Sequence, residues 1–414
     1  MRPCRVPLLV PLFGLAAAPE GRARALPDPA LRASDPDAYW KRVREEMFFL
    51  PGWRSFLNNG SLGVAPRPVL EAVENYLERA AALRVEEYPR WGYETLDAER
   101  AEMAEFLGCK KDELAFTHCA TESMSMIAAG LDLKAGDEVL ITNEEHPSGR
   151  EPWLRRAQRD GVTVREVKIP LPPASAGQLA DTVVSAIGPR TRVLSFSGIL
   201  TGVGTLMPVR EICTAARAKG VITVVDGAHM NGQVPLRLDG LNCDYYAGSP
   251  HKWMFAPAGC GLLYIREENL ERLWPTIVTG GWDRKEWKAA RFMQVGTNNR
   301  AVFEGMMAGL RFLKALGPEQ VYGRIHELAR YAYAQAAARP ALELYSAADD
   351  RLYGSLVTVG FRGKDPAPLW KKLSERRAWI YGSPRLRLSP HIHTRKEDLD
   401  LFFETVDEVF GGKG

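Results

Sequence analysis

Between Glu113 and Ile265 the chain alternates short apolar runs with stretches of helical periodicity. No other feature constrains the fold as strongly. The apolar runs are Glu113–Thr117, Glu138–Thr142, Val162–Val167, Arg192–Ser197, Val221–Val225 and Gly259–Ile265. Helical stretches lie between them at Met124–Leu131, Trp153–Asp160, Leu179–Ile187 and Val209–Lys219. A strand with one wet face alternates apolar and polar residues, whereas these runs are nearly continuous, so both faces need cover. Repeated strand then helix predicts an α/β fold, with a mostly parallel sheet of the seven-stranded type covered by helices. In such sheets ligands gather beyond the carboxyl ends of the strands. The chemistry is therefore sought in the segments just after each run.

The run Val221–Val225 leads into Asp226-Gly227-Ala228-His229, and the small and aromatic stretch Tyr245–Trp253 then presents one lysine, Lys252. A strand-end carboxylate and an enclosed lysine suit pyridoxal phosphate (PLP) chemistry. The lysine forms a Schiff base with the aldehyde, and the carboxylate keeps the pyridine nitrogen protonated so that the ring accepts electrons. Singly, each has a plainer reading: a turn or cap aspartate, and a solvated surface lysine. The run Glu113–Thr117 leads through His118–Ser123 into an apolar helix. The first amides of a helix have no helical partner, and with the dipole they favour a phosphate there, although an ordinary Thr or Ser cap fits the same pattern. Thr121, His146, Ser197, Asp226 and Lys252 all lie in segments after predicted strands, and that convergence does not depend on resemblance to any family.

The remaining chain frames this centre. Residues 1–34 read as a leader: a basic start, an apolar run from Val6 to Ala18 and a small-residue cleavage pattern at Ala23-Arg24-Ala25, so a signal peptide or a disordered segment. The run is too short to span a bilayer. Residues 35–64 form an N-terminal arm with a Gly/Asn-rich turn at Asn58–Gly63, and 65–290 a large domain. Residues 291–414 form a smaller α+β domain with a strand around Arg385–Leu388 and a terminal helix, Lys396–Phe410. The 54 basic and 51 acidic residues nearly balance, which offers nothing for nucleic acid. The six cysteines form no CxxC pair, so neither a zinc nor a redox motif is indicated, and no metal site is expected.

From Tyr39 to Phe410 the chain resembles the class V aminotransferases of PLP fold type I, in the isopenicillin N epimerase-like branch. The carrying motifs are Asn58–Gly63, Ala120-Thr121-Glu122, Glu145-His146-Pro147, Val225–His229, Ser249–Trp253, Gly296-Thr297-Asn298 and Arg387–His391. The resemblance implies that Lys252 carries PLP as the internal aldimine and moves protons at the substrate α-carbon. Asp226 pairs with the ring nitrogen, His146 stacks on the ring, and His229 sits near the ring oxygen or substrate. Ala120, Thr121, Ser249 and His251 hold the phosphate, and Ser197 belongs to the cofactor set. Thr297 reaches the phosphate of a neighbouring subunit, which implies a homodimer. Arg387 clamps the substrate carboxylate as a bidentate fork, with Asn59 on the substrate side. Arg385 lies on the same strand face as Arg387, so the choice between them rests on the motif.

The expected activity is transamination of an amino acid with a 2-oxo acid partner. Epimerisation or a C–S or β-elimination lyase reaction are alternatives on the same scaffold, and a non-catalytic binding protein is an alternative of another class. Gly198 stands where relatives place an asparagine. No cysteine comes after Cys260, which disfavours desulfuration through a persulfide. The expected location is cytoplasmic, or periplasmic should residues 1–25 direct export.

Overall fold

The structure is a computed structural model that describes residues 25–82, 95–382 and 384–411. The first part of the expected leader, residues 1–24, lies outside them. The rest of it is packed structure. Asp28 caps a helix, Pro29–Ser34, Arg32 donates to the carbonyl of Leu316 at 2.8 Å, and Leu26 and Leu31 rest on the main core. Packed structure is thus present before residue 35, because Leu26 and Leu31 find an apolar face to cover.

The sheet has seven strands: β1 (Leu114–Thr117), β2 (Glu138–Thr142), β3 (Thr163–Val167), β4 (Thr191–Ser197), β5 (Ile222–Asp226), β6 (Tyr245–Gly248) and β7 (Gly261–Ile265). Their order is β1-β7-β6-β5-β4-β2-β3. All neighbours are parallel except β7, which runs antiparallel to both β1 and β6. β1, β2, β6 and β7 are buried at every position, as continuous apolar runs covered on both faces must be. β6 is a strand that the sequence pattern does not reveal. Four residues ahead of Ser249-Pro250 are too short to show periodicity, and only the ladder to β5 and β7 defines it.

A second, three-stranded antiparallel sheet has the order β10 (Leu386–Leu388), β9 (Val357–Phe361), β8 (Leu342–Leu344). Its core joins Leu328, Val357, Leu388, Phe402 and Phe403 to Leu57 from the N-terminal arm. The helix Ala301–Leu316 buries Met306, Leu310 and Leu313 in the first core instead and packs on the helix Arg67–Ala81. The division between the cores therefore falls within the helix Pro318–Ala337, later in the chain than a boundary at 291. Apolar surface is stabilised by removal from water wherever it is covered, at about 25 cal/mol per Å2, and the loops at 280–300 do not decide where that happens.

The arm is tied to the second sheet. Ser55–Phe56 pair in parallel with Ala378–Trp379, and Asn58 bridges Ser389. This delivers the Asn58–Gly63 turn to the backbone around Lys252. Gly63 N–H donates to the carbonyl of His251 at 2.8 Å. A Cβ on Gly63 would lie 2.3 Å from the carbonyl oxygen of Lys252, so only glycine permits this approach.

Candidate active site

At the carboxyl ends of the parallel strands lies a cavity of about 220 Å3, lined by Ala120, Thr121, His146, Asp226, Lys252 and Arg387 among others. They arrive from five separate elements. Ala120 and Thr121 open the helix Ala120–Gly130, whose cap residue Cys119 makes no side-chain capping bond. His146 caps the helix Pro147–Asp160 after β2. Asp226 ends β5, Lys252 lies in the helical turn Pro250–Trp253 after β6, and Arg387 lies on β10. A larger cleft of about 600 Å3 lies between the first helices and the second core. Its charges pair with one another, as in Arg324–Asp37 and Arg395–Asp398, and it contains none of the strand-end residues.

Burial lowers Lys252 to about 8; Arg387 adds to this and Asp226 opposes it. Its Nζ lies 3.2 Å from His229 Nε2. Burial holds His229 well below the ordinary histidine range, with Lys252 and Arg387 acting the same way. His146 is lowered too, chiefly by burial and then by Lys252. The backbone N–H of Ser148 donates to His146 Nδ1 at 3.1 Å, which leaves the ring proton on Nε2. Asp226 Oδ1 accepts the N–H of Ala228 at 3.0 Å.

Arg387 is 2% exposed and burial lowers it to about 10. Its Nη1 donates to the carbonyl of Thr201 at 2.9 Å and its Nη2 to Ser61 Oγ at 3.1 Å. The guanidinium lies 4.4 Å from the centroid of the Tyr381 ring. Its Nε is buried without a partner. Arg385 turns away to Glu144 at 3.5 Å and covers the Tyr345 ring. Two residues that share a strand face thus diverge, because Arg385 precedes β10 and is free of its ladder.

Several expected site residues are placed differently. Ser197 does not line the cavity. Its Oγ donates to Glu145 Oε2 at 2.6 Å and its N–H to Glu145 Oε1 at 3.1 Å. A buried carboxyl beneath the strand ends claims both donors. Asn59 does not line the cavity either: its Nδ2 donates to the Lys252 carbonyl at 2.6 Å and its Oδ1 meets His393 Nε2 at 3.3 Å. Its neighbours Gly60 and Ser61 reach the cavity instead. Ser249 and His251 do line it, and His251 Nδ1 contacts the Cys260 carbonyl at 3.1 Å. Thr297 is exposed and lies outside the cavity. At Gly198 a Cβ would fall 2.2 Å from Met230 Sδ, so a side chain there requires Met230 to shift.

The site also holds groups that the sequence pattern does not single out: Ser61, Ser148, Thr201 and Tyr381 on its walls and Glu145 beneath it. Glu145 stands beside His146 in the sequence, but nothing in the pattern distinguishes it from a solvated turn acid. Its carboxyl is enclosed, accepts Thr142 Oγ1 at 2.5 Å, and is raised to about 7, mainly by burial.

The donor set fits PLP. The cavity offers an uncapped helix N-terminus for a phosphate, an amine of lowered basicity for an aldehyde, a strand-end carboxylate for a ring nitrogen and an arginine for a carboxylate. Residues 56–382 match the family described as Aminotransferase class-V. The chain is 31% identical to an isopenicillin N epimerase of Streptomyces clavuligerus over 90% of this chain and 99% of that protein. Among solved structures it is similar to an apo cysteine desulfurase from Thermococcus onnurineus NA1, with TM-score 0.78 and 22% identity over 90% of this chain and 98% of that one. This shows the fold. It is also similar to a C-DES mutant with glycine covalently linked to its PLP cofactor, with TM-score 0.75 and 26% identity over 86% and 96% of the two chains. By the family match, the fold and a donor set suited to PLP, the chain belongs to the class V aminotransferase family of PLP-dependent enzymes.

Proposed function

We propose that this protein is an enzyme that transfers protons at the α-carbon of an amino acid bearing a free carboxylate, with transamination as the net reaction. The observation that carries the reading is the placement of Lys252, with its lowered basicity, in one cavity with Asp226 and Arg387. Bound PLP supplies an aldehyde for attachment and a conjugated ring that takes up the electron pair left when the α-proton departs. Lys252 then serves as the base for that proton, since a group lowered to about 8 is partly free amine near neutral pH. Asp226 would hold the ring nitrogen, and His146 would cover the ring. Ala120, Thr121, Ser249 and His251 would hold the phosphate. Arg387 orients the substrate through its carboxylate, with the Tyr381 ring beside its guanidinium.

Epimerisation is the second reading, favoured by the relatives at 31% identity along almost their whole length. Desulfuration is disfavoured. The thiol on the cavity wall is Cys119, beside the helix N-terminus, and the segment before Arg387 has none. Thr297, exposed on one copy, is assigned to a second copy in a homodimer.

The test is incubation of the PLP-loaded protein with a panel of L- and D-amino acids in D2O. Deuterium at the α-carbon, together with 2-oxo acid and pyridoxamine phosphate, supports transamination. Deuterium with inverted configuration and no 2-oxo acid supports the epimerase. A protein that takes up no PLP, or exchanges no α-proton with any amino acid, refutes both.

A further inference from the structure

The indole of Trp253, the residue after Lys252, is fully buried. Its Nε1–H donates to His229 Nδ1 at 3.3 Å, and His229 Nε2 lies 3.2 Å from Lys252 Nζ. An indole nitrogen only donates, so the Nδ1 it meets carries the lone pair, and the neutral imidazole keeps its proton on Nε2. That proton points at Lys252 Nζ. A free amine accepts it through its lone pair, whereas an ammonium has three donors and no acceptor. The contacts therefore have a direction, from Trp253 through His229 to Lys252, and they are mutually satisfied in one protonation state of the lysine.

The indole is held in place. It stacks on His391, with ring centroids 5.6 Å apart and planes 20° apart, and the Trp253 carbonyl contacts His391 Nε2 at 3.3 Å. A Cβ on Gly232 would come within 2.6 Å of the same carbonyl oxygen. The other charged and titratable groups around Lys252 are Asp226 from β5, Arg387 from β10, His146 from the turn after β2 and His251 from its own helical turn. Asp226 favours the ammonium and Arg387 the amine, while burial lowers both histidines.

We propose that Trp253 is a positioning residue that fixes the tautomer of His229 and thereby keeps Lys252 a free amine. The inference rests on the reading of Lys252 as the amine that receives the aldehyde. That condensation joins Nζ to the carbonyl carbon and releases the carbonyl oxygen as water. It requires the nitrogen lone pair that His229 Nε2–H favours.

The experiment uses apoprotein and PLP as the probe. Capture of PLP is quenched with borohydride at pH 6–10.5, and the adduct is located by peptide mass. Wild type captures at Lys252 with a midpoint near the pH at which Lys252 ionises. Trp253→Phe keeps the stacking but loses the N–H, and its midpoint moves up by about one unit or more. Capture at pH 7.5 is then about tenfold slower, and the rates converge near pH 10. An unchanged midpoint, or a rate lowered equally at every pH, overturns the proposal, since a merely structural role gives the second pattern.

Histidine 15N NMR of the wild-type apoprotein decides the matter independently of how the variant folds. His229 protonated on Nε2 alone across pH 6–9 is the expected result, and a proton on Nδ1 overturns the proposal. Absence of capture at Lys252 in wild type removes the functional reading of Lys252, while the tautomer measurement still judges Trp253.

Discussion

Glu145→Gln tests the electrostatics beneath the site. The Glu145 carboxyl accepts bonds from Thr142 Oγ1 and from both donors of Ser197. An atom at the Cβ position of Gly149 would lie 3.3 Å from Glu145 Oε2 and 3.4 Å from Asp226 Oδ2, so the two carboxyls converge on one glycine. Burial, with a smaller contribution from Asp226, raises Glu145 from 4.5 to about 7. A raised acid binds its proton more tightly in the folded state. Its stabilisation is complete below 4.5 and is lost as pH rises towards 7. At roughly 1.4 kcal/mol per unit, the group costs the protein about 3 kcal/mol by pH 8, about 2 of it between pH 5.5 and 8.

Glutamine mimics the protonated acid. Its carbonyl accepts from Thr142 and from the Ser197 N–H, and its amide donates to Ser197 Oγ. Urea denaturation of both apoproteins at pH 5.5, 6.5, 7.5 and 8.5 gives the comparison. The lowered histidines, His229 and His391, contribute the opposite slope, because stability rises with pH where the unfolded chain holds the extra proton. That slope is common to both proteins and cancels in the difference. The variant should gain on wild type by about 2 kcal/mol between pH 5.5 and 8. Parallel profiles would refute the reading of Glu145 as a carboxyl held protonated by its surroundings.

Four further substitutions probe the cavity and the turn after β4. Lys252→Ala should abolish borohydride-trappable PLP while leaving the fold intact by circular dichroism; retention of a covalent adduct at another lysine would contradict the assignment. Arg387→Lys should lower kcat/KM for the preferred amino acid by about 10- to 100-fold, mostly through KM, because a fork bound to a charged group gives way to a single ammonium. An unchanged KM would move the carboxylate contact elsewhere. Gly198→Ala should destabilise by about 1–3 kcal/mol, since its Cβ meets Met230 Sδ at 2.2 Å. Met230→Ala in the same chain should restore part of that loss in denaturation, and strict additivity of the two changes would mean that they do not touch.

The covered sheet and the residues at its strand ends are legible from sequence. Runs such as Glu138–Thr142 and Val221–Val225 are largely apolar, and sheet physics gathers the segments after them on one edge. Asp226, His146 and Thr121 can be named from sequence because each lies at or just past a predicted strand, and Lys252 because it is the one lysine of the small and aromatic stretch Tyr245–Trp253. The Asn58–Gly63 and Arg387–His391 motifs can be named too, but not the groups that each side chain meets. Asn59 turns to the carbonyl of Lys252 and leaves the cavity to Ser61, because the arm arrives by pairing with Ala378–Trp379. Local pattern carries no record of a pairing between segments so far apart.

By itself the sequence determined where the chemistry gathers: one lysine in a small and aromatic stretch, a strand-end aspartate and a helix start after a strand, all set by local order and the carboxyl-edge rule. Tertiary structure alone decided protonation and direction. Glu145 is raised to about 7 by burial and, less, by Asp226. Lys252 is lowered because it is enclosed with Arg387 nearby, and His229 faces it with Nε2 because Trp253 occupies the other nitrogen. Charge states depend on the dielectric and on neighbours within a few ångströms, and such neighbours come from strands and helices far apart in the chain.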